Sequence, residues 1–60
     1  MKREEILRRL RELGFLFKEG ANHTKILDAD GNYRSALGRH AEIDERMVDR
    51  IGKQLGVKLR

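Results

Sequence analysis

Apolar residues recur at helical spacing only near the two ends of this chain, and turn-forming residues cut the stretch between them into short runs. Ile6, Leu10 and Leu13, with Leu7 beside them, fall at i, i+4 and i+7, one face of a helix. Met47, Ile51 and Leu55 repeat every fourth residue with Val48 alongside, a second one-faced helix. The spacing predicts a first helix over about residues 3–13, ended by Gly14 as a C′ glycine. It predicts a second over about 44–55, with Asp44 as N-cap and Asp44 and Glu45 matching the positive end of the helix dipole. Gly56 ends that helix, and Val57–Arg60 is a short tail. Gly52 inside it costs up to about 1 kcal/mol relative to alanine, which points to a close approach by a neighbouring element.

The middle reads as strands. Phe15–Glu19 is a short aromatic-rich run, and Gly20-Ala21 is a turn or a bulge. His23–Leu27 is a second strand, Asp28-Ala29-Asp30-Gly31-Asn32 a strong turn signal, and Tyr33–Leu37 a third strand. Gly38–Glu42 is a loop. The predicted class is α+β in the order α-β-β-β-α, a three-stranded antiparallel sheet packed on two helices. Two helices with one apolar stripe each cover one sheet face and leave the other open to solvent or a partner. The two phenylalanines are expected in the core.

Sixty residues form a single domain over 1–60. A chain this short buries only about 60% of its unfolded surface, and its net stability is expected at roughly 3–9 kcal/mol. It cannot enclose a large cofactor, so any site is a shallow surface feature and no cofactor is expected. With no cysteine, disulfides, thiolate metal sites and a cysteine nucleophile are excluded, and a reducing compartment is the natural setting. No apolar run approaches a membrane span, and the opening Met1-Lys2-Arg3-Glu4-Glu5 lacks the apolar core of a signal peptide. A cytoplasmic protein without a membrane partner is expected. The net charge of +4, from 14 Lys and Arg against 10 Asp and Glu, favours polyanionic partners. The plainer account is that a small soluble domain needs charge away from zero.

Among side chains able to do chemistry, His23 stands out, placed after a small-residue turn at the start of a strand. Histidine is the one side chain whose ordinary titration lies near neutral pH. On residues alone, the plainer account of His23 is a strand histidine bonded to a neighbour. No metal is expected, since the two histidines are far apart in sequence and have no clear third ligand. Asp28–Asn32 fails as a calcium loop, because its glycine stands at the fourth place and no glutamate closes it at the twelfth. Arg8, Arg9 and Arg11 read as a solvated helix face rather than a phosphate clamp.

Three stretches together resemble the HicA toxins of bacterial toxin–antitoxin pairs. Glu4–Phe17, "EEILRRLRELGFLF", is similar to the family's opening helix, glycine and aromatic strand. Glu19–Ile26, "EGANHTKI", resembles its motif of a small residue, any residue and histidine at the start of the second strand. Arg39–Val57, "RHAEIDERMVDRIGKQLGV", resembles its Arg-His loop, final helix and closing Gln-Leu-Gly-hydrophobic. The resemblance implies a fold like a double-stranded-RNA-binding domain (dsRBD-like). It also implies a metal-independent endoribonuclease acting on mRNA, silenced by a HicB-like antitoxin, with His23 as the catalytic residue. Two positions depart from the family pattern: Ala21 stands where glycine is usual, and Gly38 where proline is usual. Were the backbone at Ala21 left-handed, alanine would strain it by roughly 1–2 kcal/mol.

RNA cleavage of this kind uses the substrate's own 2′-hydroxyl as nucleophile. His23 would serve as general base. Lys25, Arg39 or backbone N–H groups at the Gly20-Ala21 turn would stabilise the phosphorane charge, and His40 would be the natural acid. The plainer account of His40 is that it bonds backbone near the start of the second helix. Asn22, Thr24, Lys25 and Arg39 are the candidate RNA contacts, though Asn22 also suits a turn and Thr24 a strand. Base stacking would fall to Tyr33. The rival expectation is a non-catalytic RNA-binding or partner-binding module on the same scaffold, and a third is a degenerate toxin kept as a regulator.

Overall fold

A computed structural model describes residues 1–60. Helix α1 spans Arg3–Glu12, strands β1 (Leu16–Glu19), β2 (His23–Leu27) and β3 (Tyr33–Gly38) follow, and α2 spans Glu45–Leu55. The strands make one antiparallel sheet in the order β1-β2-β3, so the expected α+β arrangement holds and β2 is central. Local signals set these limits. Gly14 adopts φ 94° just past α1, and Gly56 adopts φ 73° just past α2, where a side chain would be strained. The Asp44 side chain accepts the Arg46 N–H at 2.8 Å and caps α2. At the β2–β3 turn, Asp28 Oδ1 accepts the N–H groups of Asp30 and Asn32 at 3.0 and 2.9 Å. Those bonds, led by the one from Asn32, hold the Asp28 carboxyl below the usual aspartate range.

Alternation along the strands sorts the residues onto two faces. On β2, Thr24 and Ile26 are buried while His23 and Lys25 are exposed. The register extends this across the sheet. Glu19–Thr24–Leu37 and Phe17–Ile26–Ser35 form rows toward the helices, whereas Lys18–Lys25–Ala36 and the His23–Gly38 pair lie on the open side. A bulge between Ile26 and Leu27 brings Leu16, Leu27 and Tyr33 into a third open-side row.

The core joins Ile6 and Leu10 of α1, Ile26 and Leu37 of the sheet, and Val48, Ile51 and Leu55 of α2. Each such side chain contributes about 1.5–3 kcal/mol when fully buried. Two further members come from outside the regular elements, Ile43 in the loop before α2 and Leu59 in the tail. Phe15 and Phe17, expected inside, are only half-buried and pack against this cluster. Leu13 is 54% exposed because it is the C-cap of α1, beyond the last turn that the apolar stripe presses onto the sheet. Met47 is 44% exposed at the rim of α2 rather than in the core.

Gly52 is explained by the tail. A Cβ there would stand 2.7 Å from the Val57 carbonyl oxygen, and the Val57 N–H donates back to the Gly52 carbonyl at 2.9 Å. The close neighbour is thus the chain's own return past Gly56, not a second helix. Arg9 fixes that return by donating from Nη1 to the Leu59 carbonyl at 2.7 Å. No helix is long and apolar enough to cross a membrane.

Candidate functional site

His23 opens β2 at the exposed end of the sheet, directly across from Gly38 of β3. The preceding turn is tight: the Gly20 N–H donates to the His23 carbonyl at 2.8 Å, leaving Ala21 and Asn22 exposed between them. No residue other than glycine has positive φ, so Ala21 carries none of the strain that a left-handed backbone would impose. Gly20-Ala21 is therefore a turn, and its Gly20 N–H is already committed within the fold.

His40 comes from a different segment, the loop between β3 and α2. Two backbone bonds pin that loop to the start of the chain: Arg3 N–H to the Ala41 carbonyl at 2.9 Å, and Ile43 N–H to the Met1 carbonyl at 2.8 Å. The result brings His23 and His40 to the same open cavity of ≈ 470 Å³, whose wall also includes Ala36, Gly38, Glu42, Ile43, Asp44 and Met47. Gly38 contributes no side chain there, and a Cβ on it would lie 3.6 Å from His40 Cδ2. The cavity's apolar wall is Ala36, Ile43 and Met47, and the carboxylates of Glu42 and Asp44 stand with the two imidazoles.

Behind this cavity, on the helix side of the sheet, runs a polar brace. Thr24 is 2% exposed, and its hydroxyl donates to Glu19 Oε1 at 2.5 Å while accepting from the Arg3 guanidinium. Arg3 Nε also donates to the Gly38 carbonyl at 3.0 Å. Arg39 pairs with Glu19 at 3.1 Å and donates to the Gly20 carbonyl at 2.5 Å. The Thr24 hydroxyl foremost, then the Arg39 charge, holds the Glu19 carboxyl below its ordinary range. Every buried side-chain polar atom has a partner. The brace ties the ends of all three strands together at the histidine end.

The candidate RNA contacts therefore separate. Lys25 and Asn22 are exposed, Lys25 on the open face next to Lys18 and Asn22 in the turn. Thr24 faces the helices with its hydroxyl doubly occupied, a structural position rather than an RNA contact. Arg39 is turned to the β1–β2 turn, and neither it nor Lys25 lines the histidine cavity. Arg8 pairs along α1 with Glu12, and Arg11 lies over the Phe17 ring at 5.5 Å, both exposed as on a solvated helix face, whereas Arg9 is half-buried between Glu5 and the Leu59 carbonyl. No three His, Asp or Glu side chains gather in a cluster suited to a metal ion.

Residues that sequence reading passed over are Met47, Arg46 and Arg50. Arg46 and Arg50 line one further cavity with Met47, and neither side chain makes an ion pair or hydrogen bond. Their spacing of one helical turn beside an apolar stripe is visible in the sequence, but periodicity alone assigns Met47 to the core. Comparison of the chain with protein-family models, with curated proteins and with solved structures finds no match.

Proposed function

We propose that this protein is a HicA-like toxin, an endoribonuclease that cleaves mRNA without a metal ion in the cytoplasm. The observation that carries the reading is the shared cavity: two imidazoles from separate segments open onto one shallow, accessible surface. Cleavage needs a base at the 2′-hydroxyl and an acid at the leaving oxygen, and histidine can serve as either near neutral pH. His23 takes the 2′-hydroxyl proton as that oxygen attacks phosphorus. The bond from phosphorus to the 5′-oxygen breaks, and His40 gives that oxygen a proton. The products are a 2′,3′-cyclic phosphate and a 5′-hydroxyl, and Lys25 on the adjoining face attracts the phosphodiester electrostatically.

A HicB-like antitoxin would silence the enzyme by covering the open sheet face. In support, that face ends in a row containing Leu16 and Tyr33, large side chains 49% and 60% exposed. The reading is tested by incubating purified protein with RNA in the presence of a chelator. Cyclic-phosphate ends are expected, lost in both His23→Ala and His40→Ala while thermal unfolding stays unchanged. Undiminished cleavage by His23→Ala would reject the catalytic role. The second reading, an RNA-binding module without chemistry, draws on the unpaired Lys18, Lys25, Arg46 and Arg50; salt-sensitive RNA binding with no scission would favour it.

A further inference from the structure

β3 is an edge strand, with no strand on its outer side. Along that edge lie two shallow cavities, one of ≈ 260 Å³ between Tyr33, Arg34 and Arg50, the other the histidine cavity of ≈ 470 Å³. They share Ala36 and Met47 as walls and so adjoin in the groove between β3 and α2. Its length follows from the strand: from Gly38, opposite His23, back to Tyr33 is about 17 Å at roughly 3.3 Å per residue.

We propose that this groove is a track for single-stranded RNA, leading the strand past Tyr33 and Arg50 into the His23–His40 cavity. The proposal rests on the ribonuclease reading for its choice of polyanion. The charges fit. Arg50 makes no ion pair, Arg46 stands one turn earlier beside Met47, and Arg34 holds Asp28 only at 4.0 Å. Two acidic side chains line the histidine end: the Asp44 carboxylate is occupied in capping α2, and Glu42 pairs with the N-terminal ammonium at 3.4 Å. The apolar floor of Ala36 and Met47, with the Tyr33 ring 60% exposed at the far end, suits bases turned out of a stack. A duplex keeps its bases paired inward and offers such a floor nothing but backbone. In-line attack by the 2′-hydroxyl likewise requires a nucleotide free to leave helical geometry.

The test measures fluorescence anisotropy of a labelled single-stranded RNA of mixed sequence, and of the same strand annealed to its complement. The protein is the full chain carrying His23→Ala, so the probe stays intact. Tighter binding of the single strand is expected. Tyr33→Ala should weaken it at least about five-fold through lost stacking. Arg50→Ala should flatten the slope of log affinity against log salt by about 0.7, and Arg50→Lys should restore it. Lys58→Ala, off the groove, should change neither fold nor selectivity. Equal or tighter duplex binding, or full affinity in both Tyr33→Ala and Arg50→Ala, overturns the track. So does binding of polyglutamate in place of RNA, which would assign the edge to an added acidic peptide strand. Cleavage by the wild-type protein is scored separately. Binding with these signatures but no scission sinks the ribonuclease and leaves the track, whereas scission indifferent to Arg50 does the reverse.

Discussion

Thr24→Val separates a structural threonine from an RNA-binding one. The substitution keeps the branched shape but removes a hydroxyl that is 2% exposed and bonded to both Glu19 and Arg3. A hydrogen bond to a charged partner contributes about 1.5–3 kcal/mol, and an unmade buried one costs a similar amount. Glu19 is exposed and Arg3 only half-buried, so water replaces part of what both lose. The added methyl also gains from burial. The net loss expected is therefore about 1–2 kcal/mol, a fall in Tm of about 4–16 °C for a domain of this size. Acid unfolding supplies a second readout. The Glu19 carboxyl titrates below its ordinary 4.5, chiefly because of the Thr24 hydroxyl. A depressed folded-state pKa gives stability that is present above the unfolded value and lost as pH falls through the folded one. Wild-type protein thus weakens as pH drops below about 4.5, and Thr24→Val, with less of that contribution to lose, declines less steeply over the same window. Thermal unfolding by circular dichroism from neutral to acid pH measures both effects. An unchanged Tm together with weakened RNA binding would refute the reasoning and return Thr24 to the RNA interface.

Gly52→Ala gains about 1 kcal/mol of helix propensity but forces a Cβ toward backbone, an overpacking typically costing about 1–3 kcal/mol. The tail must shift and Leu59 must lose packing, so a lower Tm is expected; a higher one would mean the tail does not lie against α2. Ala21→Gly installs the residue usual in the resembled family, yet relieves nothing because no left-handed backbone exists there. It should lower stability by about 0.4–1 kcal/mol through the unfolded chain, and a clear gain in Tm would show the turn to be strained.

The parts of this fold that were legible in the sequence are those set by neighbours along the chain. Asp44 caps α2, Gly14 and Gly56 end the helices, and Asp28 closes the β2–β3 turn, each with partners a few residues away. The first and last residues of β2 follow from the two turns that flank it, and within it His23 and Lys25 lie on the face opposite the buried Thr24 and Ile26. Ends shift only slightly: β1 begins at Leu16 rather than Phe15, and β3 runs on to Gly38. Apolar spacing was misleading at Leu13 and Met47 because a stripe marks a direction around a helix, not how far along it the sheet extends. Leu13 overhangs at one end and Met47 at the rim.

What escaped the sequence is what joins distant segments. Nothing in local pattern couples Arg3 to Ala41, yet that backbone bond places the loop bearing His40. Arg3 then reaches the Gly38 carbonyl and the Thr24 hydroxyl, so one side chain from the first turn of α1 meets both strands at the His23–Gly38 pair. The two imidazoles approach the same cavity only because β2 and β3 pair in this register while the start of α1 holds the loop that follows β3. A polar side chain can satisfy itself with many partners, and only the folded topology selects among them. The histidine site is thus a product of closure between chain segments. That is why the chain read residue by residue could nominate His23 and name His40 as an acid but could not place the two together.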